Sequence, residues 1–366
     1  MACARQADQP DSRQVSHLLA QTSAIDVLDA AAFHAVSGIA YECLRDHSDA
    51  PDELVAELKT RHDDAVRQHM RMVWELGRLQ EVLDGSGVGW AVVKGPALIE
   101  LLYRRPGLRS YGDIDVIVQP SGFDRALGAL LTNGSRLLDR NWKIMRRELL
   151  GELHLLLPGG TPLDLHWNLV NMYRGSIRID TEALLERAER VAIGSVRMPT
   201  PDSTDTLIHL ALHGTLAGGD KLLWMNDIAM SASIRPPEWD TVVRRSEEWN
   251  VAAPVGFMLE RSHRVLGAAV PDEVRRRLLG RQYRALMQMV DRISPWERAR
   301  GRLGTPSLLL TRSMGLGLAG ASQWLVARTI RNLDPREPEA SSTFTPRGDH
   351  RDYEAFLRAV VSSRTS

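Results

Sequence analysis

Apolar side chains recur at helical spacing through the first part of the chain. Pro51 is followed by two acidic residues, which is typical of the first turn of a helix. Beyond it, apolar residues lie three or four positions apart, at Val66, Met70, Val73, Leu76, Leu79 and Leu83. The run Asp84-Gly85-Ser86-Gly87 ends this pattern. Residues 1–84 are therefore predicted to form an N-terminal helical region.

The pattern between residues 85 and 200 is that of short strands. Val88–Val93 and Ile114–Val118 are apolar and rich in valine, so both are predicted to be buried strands. Leu153–Leu157 and Leu163–Trp167 flank a Pro-Gly-Gly-Thr turn, which predicts a hairpin. Two short helices are predicted between these strands, at Ala97–Tyr103 and Phe123–Leu131.

Helical spacing returns after residue 200. Asp202–Leu216 is predicted to be a helix that is capped by Asp202 or Ser203, two residue types that cap helix N-termini well. Lys221–Ser233 is predicted to be the next helix. Residues 201–333 are therefore predicted to form a C-terminal helical domain. Together these patterns predict an α/β (α+β) fold, in which a small mixed sheet within residues 85–200 is flanked by N- and C-terminal helical regions.

The last part of the chain, residues 334–366, is predicted to be a linker and a tail. Asp334–Asp352 is rich in proline, serine and charged residues, which is typical of a linker or a disordered stretch. Tyr353–Ser362 is predicted to be a short terminal helix. The apolar segment Ser313–Ala327 is shorter than the roughly 20 residues that a spanning helix needs. We expect no membrane span there: a buried helix is favoured, and a weak contact with a membrane surface is the alternative.

Charge and cysteine content narrow the classes of protein. Lysine plus arginine and aspartate plus glutamate both number 46, so the formal net charge is +0. A chain without a basic excess is not expected to bind long nucleic acid. Cys3 and Cys43 are the two cysteines, too few for a disulfide framework or a four-cysteine zinc site, and they agree with a cytoplasmic location. The first residues also lack the apolar core of a signal peptide.

Three aspartates supply the candidate chemistry. Asp113 and Asp115 are two positions apart at the start of a predicted strand, so their side chains are expected on one face. Two adjacent carboxylates repel, and a divalent cation relieves the repulsion; oxygen ligands favour Mg²⁺ or Mn²⁺ over zinc. Asp164 lies in an otherwise apolar strand, where an acid is costly unless it is compensated. The alternative for the pair alone is an acidic strand edge that faces water.

The order of these motifs resembles the nucleotidyltransferase fold of the DNA polymerase β superfamily. Within it, the chain resembles an uncharacterised bacterial nucleotidyltransferase family with the signature Lys-Gly-x-Ala-Leu, then Tyr, then Arg-x-x-Gly-Asp-Ile-Asp. The matching residues are Lys94-Gly95-Pro96-Ala97-Leu98, Tyr103, and Arg109-Ser110-Tyr111-Gly112-Asp113-Ile114-Asp115. The later segments Asp164–Trp167, Leu207–Gly214 and Leu222–Ile228 also resemble the family, so the resemblance covers most of the chain.

The resemblance implies an enzyme that moves a nucleoside monophosphate from a nucleoside triphosphate to an acceptor and releases pyrophosphate. Asp113, Asp115 and Asp164 would be the catalytic residues, and they would bind one or two Mg²⁺ or Mn²⁺ ions. Asp164 would bridge the metal next to the attacking hydroxyl or help to deprotonate it. The acceptor would be a small molecule, a peptide, a protein or an RNA end, and a peptide or antibiotic-like acceptor is favoured because related families accompany natural-product and peptide-modification genes.

Four further residues are expected to bind the triphosphate. Gly95 would let backbone N–H groups approach phosphate, while Lys94 and Arg109 would contact its oxygens. Gly112 would give room beside the aspartates. The wider superfamily usually has a phosphate-binding serine directly after the glycine, where this chain has Pro96, so Lys94 is the predicted substitute.

Three histidines are predicted to be possible substrate contacts. His166 shares a strand face with Asp164 by the two-residue rule, and a hydrogen-bonded structural histidine is the alternative. His209 and His213 are four apart on one predicted helix, and substrate contact or packing is favoured over zinc because no HExxH motif is present. Asp227 is expected to satisfy a histidine. Two other functions stay open: phosphoryl or glycosyl transfer from a nucleotide donor, and a non-catalytic nucleotide-binding protein.

Overall fold

The computed structural model describes residues 12–170, 177–293, 311, 314 and 342–363 of the chain. Helices from both ends of the chain flank one five-stranded mixed sheet, and a two-stranded antiparallel ribbon follows it in the sequence. The strands are Trp90–Val92 (β1), Ile114–Val118 (β2), Arg136–Leu137 (β3), Glu152–Leu156 (β4), Pro162–His166 (β5), Glu189–Ile193 (β6) and Val196–Thr200 (β7). The predicted class, a small mixed sheet between helical regions, is therefore confirmed.

Helices make up the rest of the described regular structure. The N-terminal region contains Ser12–Ala20 (α1), Ala24–Phe33 (α2), Ser37–Leu44 (α3) and the long helix Asp52–Gly85 (α4). The sheet region contains Pro96–Leu98 (α5), which a π turn at Ile99–Tyr103 continues, and Phe123–Thr132 (α6), Trp142–Glu148 (α7) and Thr181–Glu186 (α8). The C-terminal part contains Ser203–Leu216 (α9), Leu222–Ile234 (α10), Trp239–Glu248 (α11), Ala252–Leu266 (α12), Asp272–Leu278 (α13), Arg281–Ile293 (α14) and His350–Val361 (α15).

The strand order of the sheet is β1-β2-β5-β4-β3. β1 is antiparallel to β2, β2 is parallel to β5, and β4 and β5 form the predicted hairpin. Asp115 is the register partner of Asp164 across β2 and β5, and Asp164 is the register partner of His154 across β5 and β4. Because register partners project from the same face of a sheet, these three side chains lie in one row.

The two faces of the sheet pack against different helices. Ile114 and Val116 belong to an apolar cluster with Phe123 of α6 and with residues of α4. Ile117 points the other way and belongs to the cluster formed by α9, α10 and α12. Asp115 lies between Ile114 and Val116, so the pleat of the strand directs it to the second face, toward the C-terminal helices.

The end of the chain packs on the sheet region. Phe356 of α15 is fully buried, and its ring lies 5.7 Å from that of Trp142 and 5.5 Å from that of Trp167. Before this helix, the carbonyl of Thr343 accepts hydrogen bonds from the backbone N–H groups of Arg140 and Asn141. Residues 342–352 are therefore held against the α7 segment, whereas a linker was predicted over 334–352.

Some elements have no signal in the apolar pattern. The strands β3, β6 and β7 and the helices α7 and α8 are short, and each has at most two buried residues, so no periodicity predicts them. The predicted helix at Ala97–Tyr103 is the short α5 followed by its π turn. At α9, the side chain of Asp202 accepts a hydrogen bond from the N–H of Asp205, which confirms the predicted cap.

The predicted apolar segment Ser313–Ala327 lies outside the described residues, with the exception of Met314. Among the helices that the structure does describe, none combines the length and the apolar character needed to cross a bilayer.

Candidate active site

One face of the sheet carries a row of polar side chains, which we call the polar strip. On β2, β4 and β5 its members alternate with leucine, isoleucine and valine residues that pack on the other face. Strand order therefore brings together residues that are far apart in the sequence. The members are Lys94, two residues beyond β1, Asp113 and Asp115 at β2, Asp164 and His166 on β5, and Glu152 and His154 on β4.

Asp115 is the most closely surrounded carboxylate of the polar strip. Its Oδ1 lies 2.9 Å from Nζ of Lys94 and 3.0 Å from Nε2 of His166. Burial alone would raise the pKa of Asp115, but the charge of Lys94 and the contact with His166 hold that pKa well below its usual range. The chain thus supplies its own positive charge to this buried acid.

Asp113 lies two residues before Asp115 at the start of β2, and Asp164 lies opposite Asp115 on β5. Burial, together with the charge of Asp115, raises the pKa of Asp113. Burial and the charge of Asp115 also raise the pKa of Asp164, to about 7. Both shifts have the direction expected of carboxylates that are close together and partly shielded from water. The structure therefore brings the three predicted aspartates into one electrostatic group.

Residues of this group fit a divalent cation. One ligand atom from each of Asp115, Asp164 and His166 lies within 4.8 Å of the others. Asp113 stands close enough to Asp115 for the charge of Asp115 to raise the pKa of Asp113. Clustered carboxylate oxygens are the ligands that Mg²⁺ and Mn²⁺ prefer. The two aspartates of this group thus suit the predicted metal, whereas the imidazole of His166 is a ligand more typical of transition metals.

The turn after β1 is shaped by Gly95. Its φ is +53° and its ψ is −118°, a conformation that residues with a Cβ rarely adopt. A Cβ at this position would also lie 3.1 Å from the ring of Tyr111 and 3.3 Å from the carbonyl of Asp113. Pro96 has no N–H, and the N–H of Ala97 donates to the carbonyl of Lys94. Pro96 and Ala97 therefore offer no free backbone N–H group to a phosphate.

Arg109 forms an ion pair that the sequence did not predict. Its Nε and Nη2 donate to Asp227 of α10 at 2.9 and 3.0 Å, and Tyr103 donates to the same carboxylate at 2.6 Å. Only Nη1 of Arg109 is left without a hydrogen bond among the described residues. Asp227, which we expected to satisfy a histidine, instead accepts from Arg109 and Tyr103 because the loop before β2 packs against α10.

The loop before β2 is held from its other side by α4. The hydroxyl of Tyr111 lies 2.9 Å from Nδ1 of His69, and Gln68 donates to the carbonyl of Tyr111 at 2.7 Å. Gly112, the next residue, has open space around the position of a Cβ. Its predicted role of leaving room beside the aspartates remains a prediction.

Helices α9 and α10 face the polar strip and form what we call the helical wall. His209 of α9 is 2% exposed, and neither ring nitrogen has a hydrogen-bond partner among the described residues. Burial and the charge of Lys94 lower its pKa well below the usual range, and Lys94 and burial lower that of His213 to about 3. Both imidazoles are therefore neutral at pH 7. Both also lie close enough to Lys94 for its charge to lower their pKa.

Three residues of this region were missed by the sequence analysis. Glu152 and His154 are two apart on β4, the same spacing that drew attention to Asp113 and Asp115, but Glu152 fell outside the predicted strand. Asp139, between β3 and α7, accepts hydrogen bonds from the backbone N–H and from Nδ1 of His154, at 2.7 and 3.0 Å. The hydrogen bond to Asp139 raises the pKa of His154 to about 9.

The comparison with protein-family models agrees with the resemblance. The model of a family described as uncharacterised nucleotidyltransferase matches residues 21–267. Among solved structures, the Thermotoga maritima CCA-adding enzyme complexed with tRNA is similar at 13% identity over 83% of this chain and 93% of that chain, with a TM-score of 0.20. A search of curated proteins returned no match. Since the family model covers more than half of the chain, this protein belongs to the family of uncharacterised nucleotidyltransferases.

Proposed function

We propose that this nucleotidyltransferase moves a nucleoside monophosphate from a nucleoside triphosphate to a small-molecule, peptide or protein acceptor, with Mg²⁺ as the metal and pyrophosphate as the second product. The observation that supports it best is the register of β2 and β5. It places Asp115 opposite Asp164, and Asp113 precedes Asp115 by two residues. Membership of the family supports the transfer of a nucleotidyl group in general.

The aspartates are proposed to hold the metal. A divalent cation bound by Asp113, Asp115 and Asp164 would stabilise the negative charge of the triphosphate and of the attacking oxygen. Lys94 is proposed to bind a phosphate oxygen. Its ammonium lies 2.9 Å from Asp115, and rotation of its flexible side chain would bring it to a ligand placed above the strip.

The helical wall is proposed to bind polar groups of the substrates. A buried polar atom without a partner is costly, and the cost disappears when a ligand supplies a hydrogen bond. His209 offers two such nitrogens, and Arg109 offers Nη1. A neutral imidazole donates one hydrogen bond and accepts another, which suits a nucleobase edge or a hydroxyl group.

The burial of the site favours an acceptor whose reactive group is narrow and extends away from the rest of the molecule. The side chains of Asp115 and His166 are almost fully buried beneath the helical wall. A small molecule or a peptide side chain could extend a hydroxyl to this depth, and the formal net charge of +0 gives no general attraction for nucleic acid.

Calorimetric titration with non-hydrolysable nucleoside triphosphates tests the nucleotide site. We expect binding that requires Mg²⁺ and that weakens by at least about tenfold, or 1.4 kcal/mol, in the double variant Asp113→Asn/Asp115→Asn. Asp240→Asn, an exposed change on α11, should bind as the wild type does. Failure of every triphosphate to bind well-folded wild-type protein would refute the proposal.

Mass spectrometry of the product then identifies the transferred group. The protein is incubated with the preferred triphosphate, Mg²⁺ and a mixture of hydroxyl-bearing small molecules and peptides. An added nucleoside monophosphate supports the proposal, whereas an added phosphate or sugar would assign the site to the alternative transfer reactions.

The variant His209→Leu tests the helical wall. Leucine removes two buried nitrogens that have no described partner, so the free energy of unfolding should change little or rise. Affinity for the triphosphate or for the acceptor should fall by about tenfold. Large destabilisation with unchanged affinity would make His209 a structural residue.

A further inference from the structure

We propose that Glu152, His154 and Asp164 form a second divalent-cation site, next to the Asp113–Asp115 site and sharing Asp164 with it. Its imidazole nitrogen and carboxylate oxygens suit Zn²⁺, Co²⁺ or Mn²⁺ better than Mg²⁺. This inference goes beyond the proposed function, because Glu152 and His154 have no part in the proposed transfer.

The backbone brings the three ligands to one place. His154 and Asp164 are register partners across the β4–β5 hairpin, and Glu152 lies two residues before His154 on the same face. Nε2 of His154 lies 3.6 Å from Oε1 of Glu152 and 4.0 Å from Oδ1 of Asp164. Ligand atoms at about 2.0–2.2 Å from one ion lie up to about twice that distance apart, so these separations fit one shared cation.

Asp139 fixes which ring nitrogen of His154 faces the carboxylates. It is not one of the three ligands, it is fully buried, and its Oδ2 lies 3.0 Å from Nδ1 of His154. With Nδ1–H donating to Asp139, Nε2 is the atom that points to Glu152 and Asp164. Metal-binding histidines almost always donate their second ring N–H to a carboxylate or a carbonyl in this way. The arrangement is the support that a ligand histidine requires.

His166 connects the two metal sites. Its Nε2 lies 3.0 Å from Asp115, and its Nδ1 lies 3.2 Å from Oε2 of Glu152. Glu152 therefore directs one oxygen to His166 and the other to His154. About a third of the His154 side chain is exposed to solvent, which gives an ion a path to the second site that does not pass through the buried first one.

A simpler assignment is that protonated His154 alone balances the surrounding carboxylates. The two assignments differ in what Co²⁺ does. A cation on Nε2 displaces the proton from that nitrogen, and cobalt with a nitrogen ligand has a characteristic visible absorption. A protonated structural histidine would leave the cobalt spectrum without a contribution from His154.

The test is a titration of the full chain, freed of metal by a chelator, with CoCl₂ and optical detection. Wild type and Asp113→Asn should both bind Co²⁺ with a nitrogen-ligand spectrum, because Asp113 is not a ligand of the second site. His154→Gln should lose the contribution of this imidazole to the spectrum, so that any remaining nitrogen-ligand absorption comes from His166. Asp139→Asn should bind about 10–100-fold more weakly. His350→Gln, an exposed histidine on α15, is the matched control and should behave as wild type.

Two results would overturn the second site: an unchanged cobalt spectrum in His154→Gln, or no cobalt binding by wild type. If His154→Gln fails to fold, nitrogen NMR of wild type replaces it. Saturating Zn²⁺ should then remove the proton from Nε2 of His154, and a persistent proton on that nitrogen would refute the site. Because Asp113→Asn keeps the cobalt spectrum but loses triphosphate binding, failure of this proposal and failure of the proposed function give different results.

Discussion

The two walls of the candidate site satisfy their polar groups in different ways. On the polar strip the charged side chains contact one another, and Asp115 is held by Lys94 and His166. On the helical wall, by contrast, His209 has no described hydrogen-bond partner on either nitrogen. The strip is thus assembled by internal contacts, whereas the helical wall retains hydrogen-bonding capacity that a ligand could use.

A buried ion pair joins the loop before β2 to the helical wall. Asp227 of the helical wall is 1% exposed and accepts two hydrogen bonds from Arg109, which lies in the loop before β2. The loop leads directly to Asp113 and Asp115. This pair therefore links the segment that carries the two aspartates to the helical wall.

The largest effect is expected from Asp227→Asn. The change leaves the guanidinium of Arg109 buried without a charged partner, and breaking a buried pair in this way costs about 3–5 kcal/mol of unfolding free energy. Urea denaturation followed by tryptophan fluorescence measures the loss. Asp240→Asn on the surface of α11 should change stability by less than about 0.5 kcal/mol.

Replacing both residues of the ion pair separates the effect of charge on stability from the effect of packing. Arg109→Met/Asp227→Leu removes both charges and keeps apolar contact, so it should recover most of the stability lost in Asp227→Asn. A double variant as unstable as the single one would show that the geometry of the hydrogen bonds, rather than the uncompensated charge, maintains the junction.

A smaller effect is expected from Gly95→Ala. The positive φ of residue 95 strains any residue with a Cβ, and the added methyl group would meet the ring of Tyr111 at 3.1 Å. We expect a loss of about 1–3 kcal/mol, measured by urea denaturation. Gly280→Ala is the matched control, since its Cβ meets open space. Equal stability of the two variants would contradict a strained turn at Gly95.

The smallest effect is expected from Tyr111→Phe. The substitution removes the hydrogen bond between the Tyr111 hydroxyl and His69 of α4, which is worth about 1 kcal/mol. Thermal unfolding should show a small decrease in midpoint, and Tyr283→Phe on α14 provides the comparison. A loss as large as that of Asp227→Asn would mean that α4, and not the helical wall, fixes the loop.

The sequence predicted the local elements of the sheet region well. Valine-rich segments and the Pro-Gly-Gly-Thr turn predicted β1, β2 and the β4–β5 hairpin, because strand and turn preferences act over a few neighbouring residues. Glu152 and His154 were missed although they repeat the two-residue spacing of Asp113 and Asp115. Spacing alone does not tell a polar residue on an exposed face from one at a site, and no family motif marked these two.

What the sequence determined by itself was the central strands, the main helices, the family and the candidate acids, since each follows from patterns of residues close together in the chain. Only the tertiary structure decided the partner of each charge. Arg109 and Asp227 are 118 positions apart, and Glu152 meets His166 because of strand register. Charges interact through space and compete for the nearest partner, so their pairing depends on strand order and helix packing that no local pattern encodes.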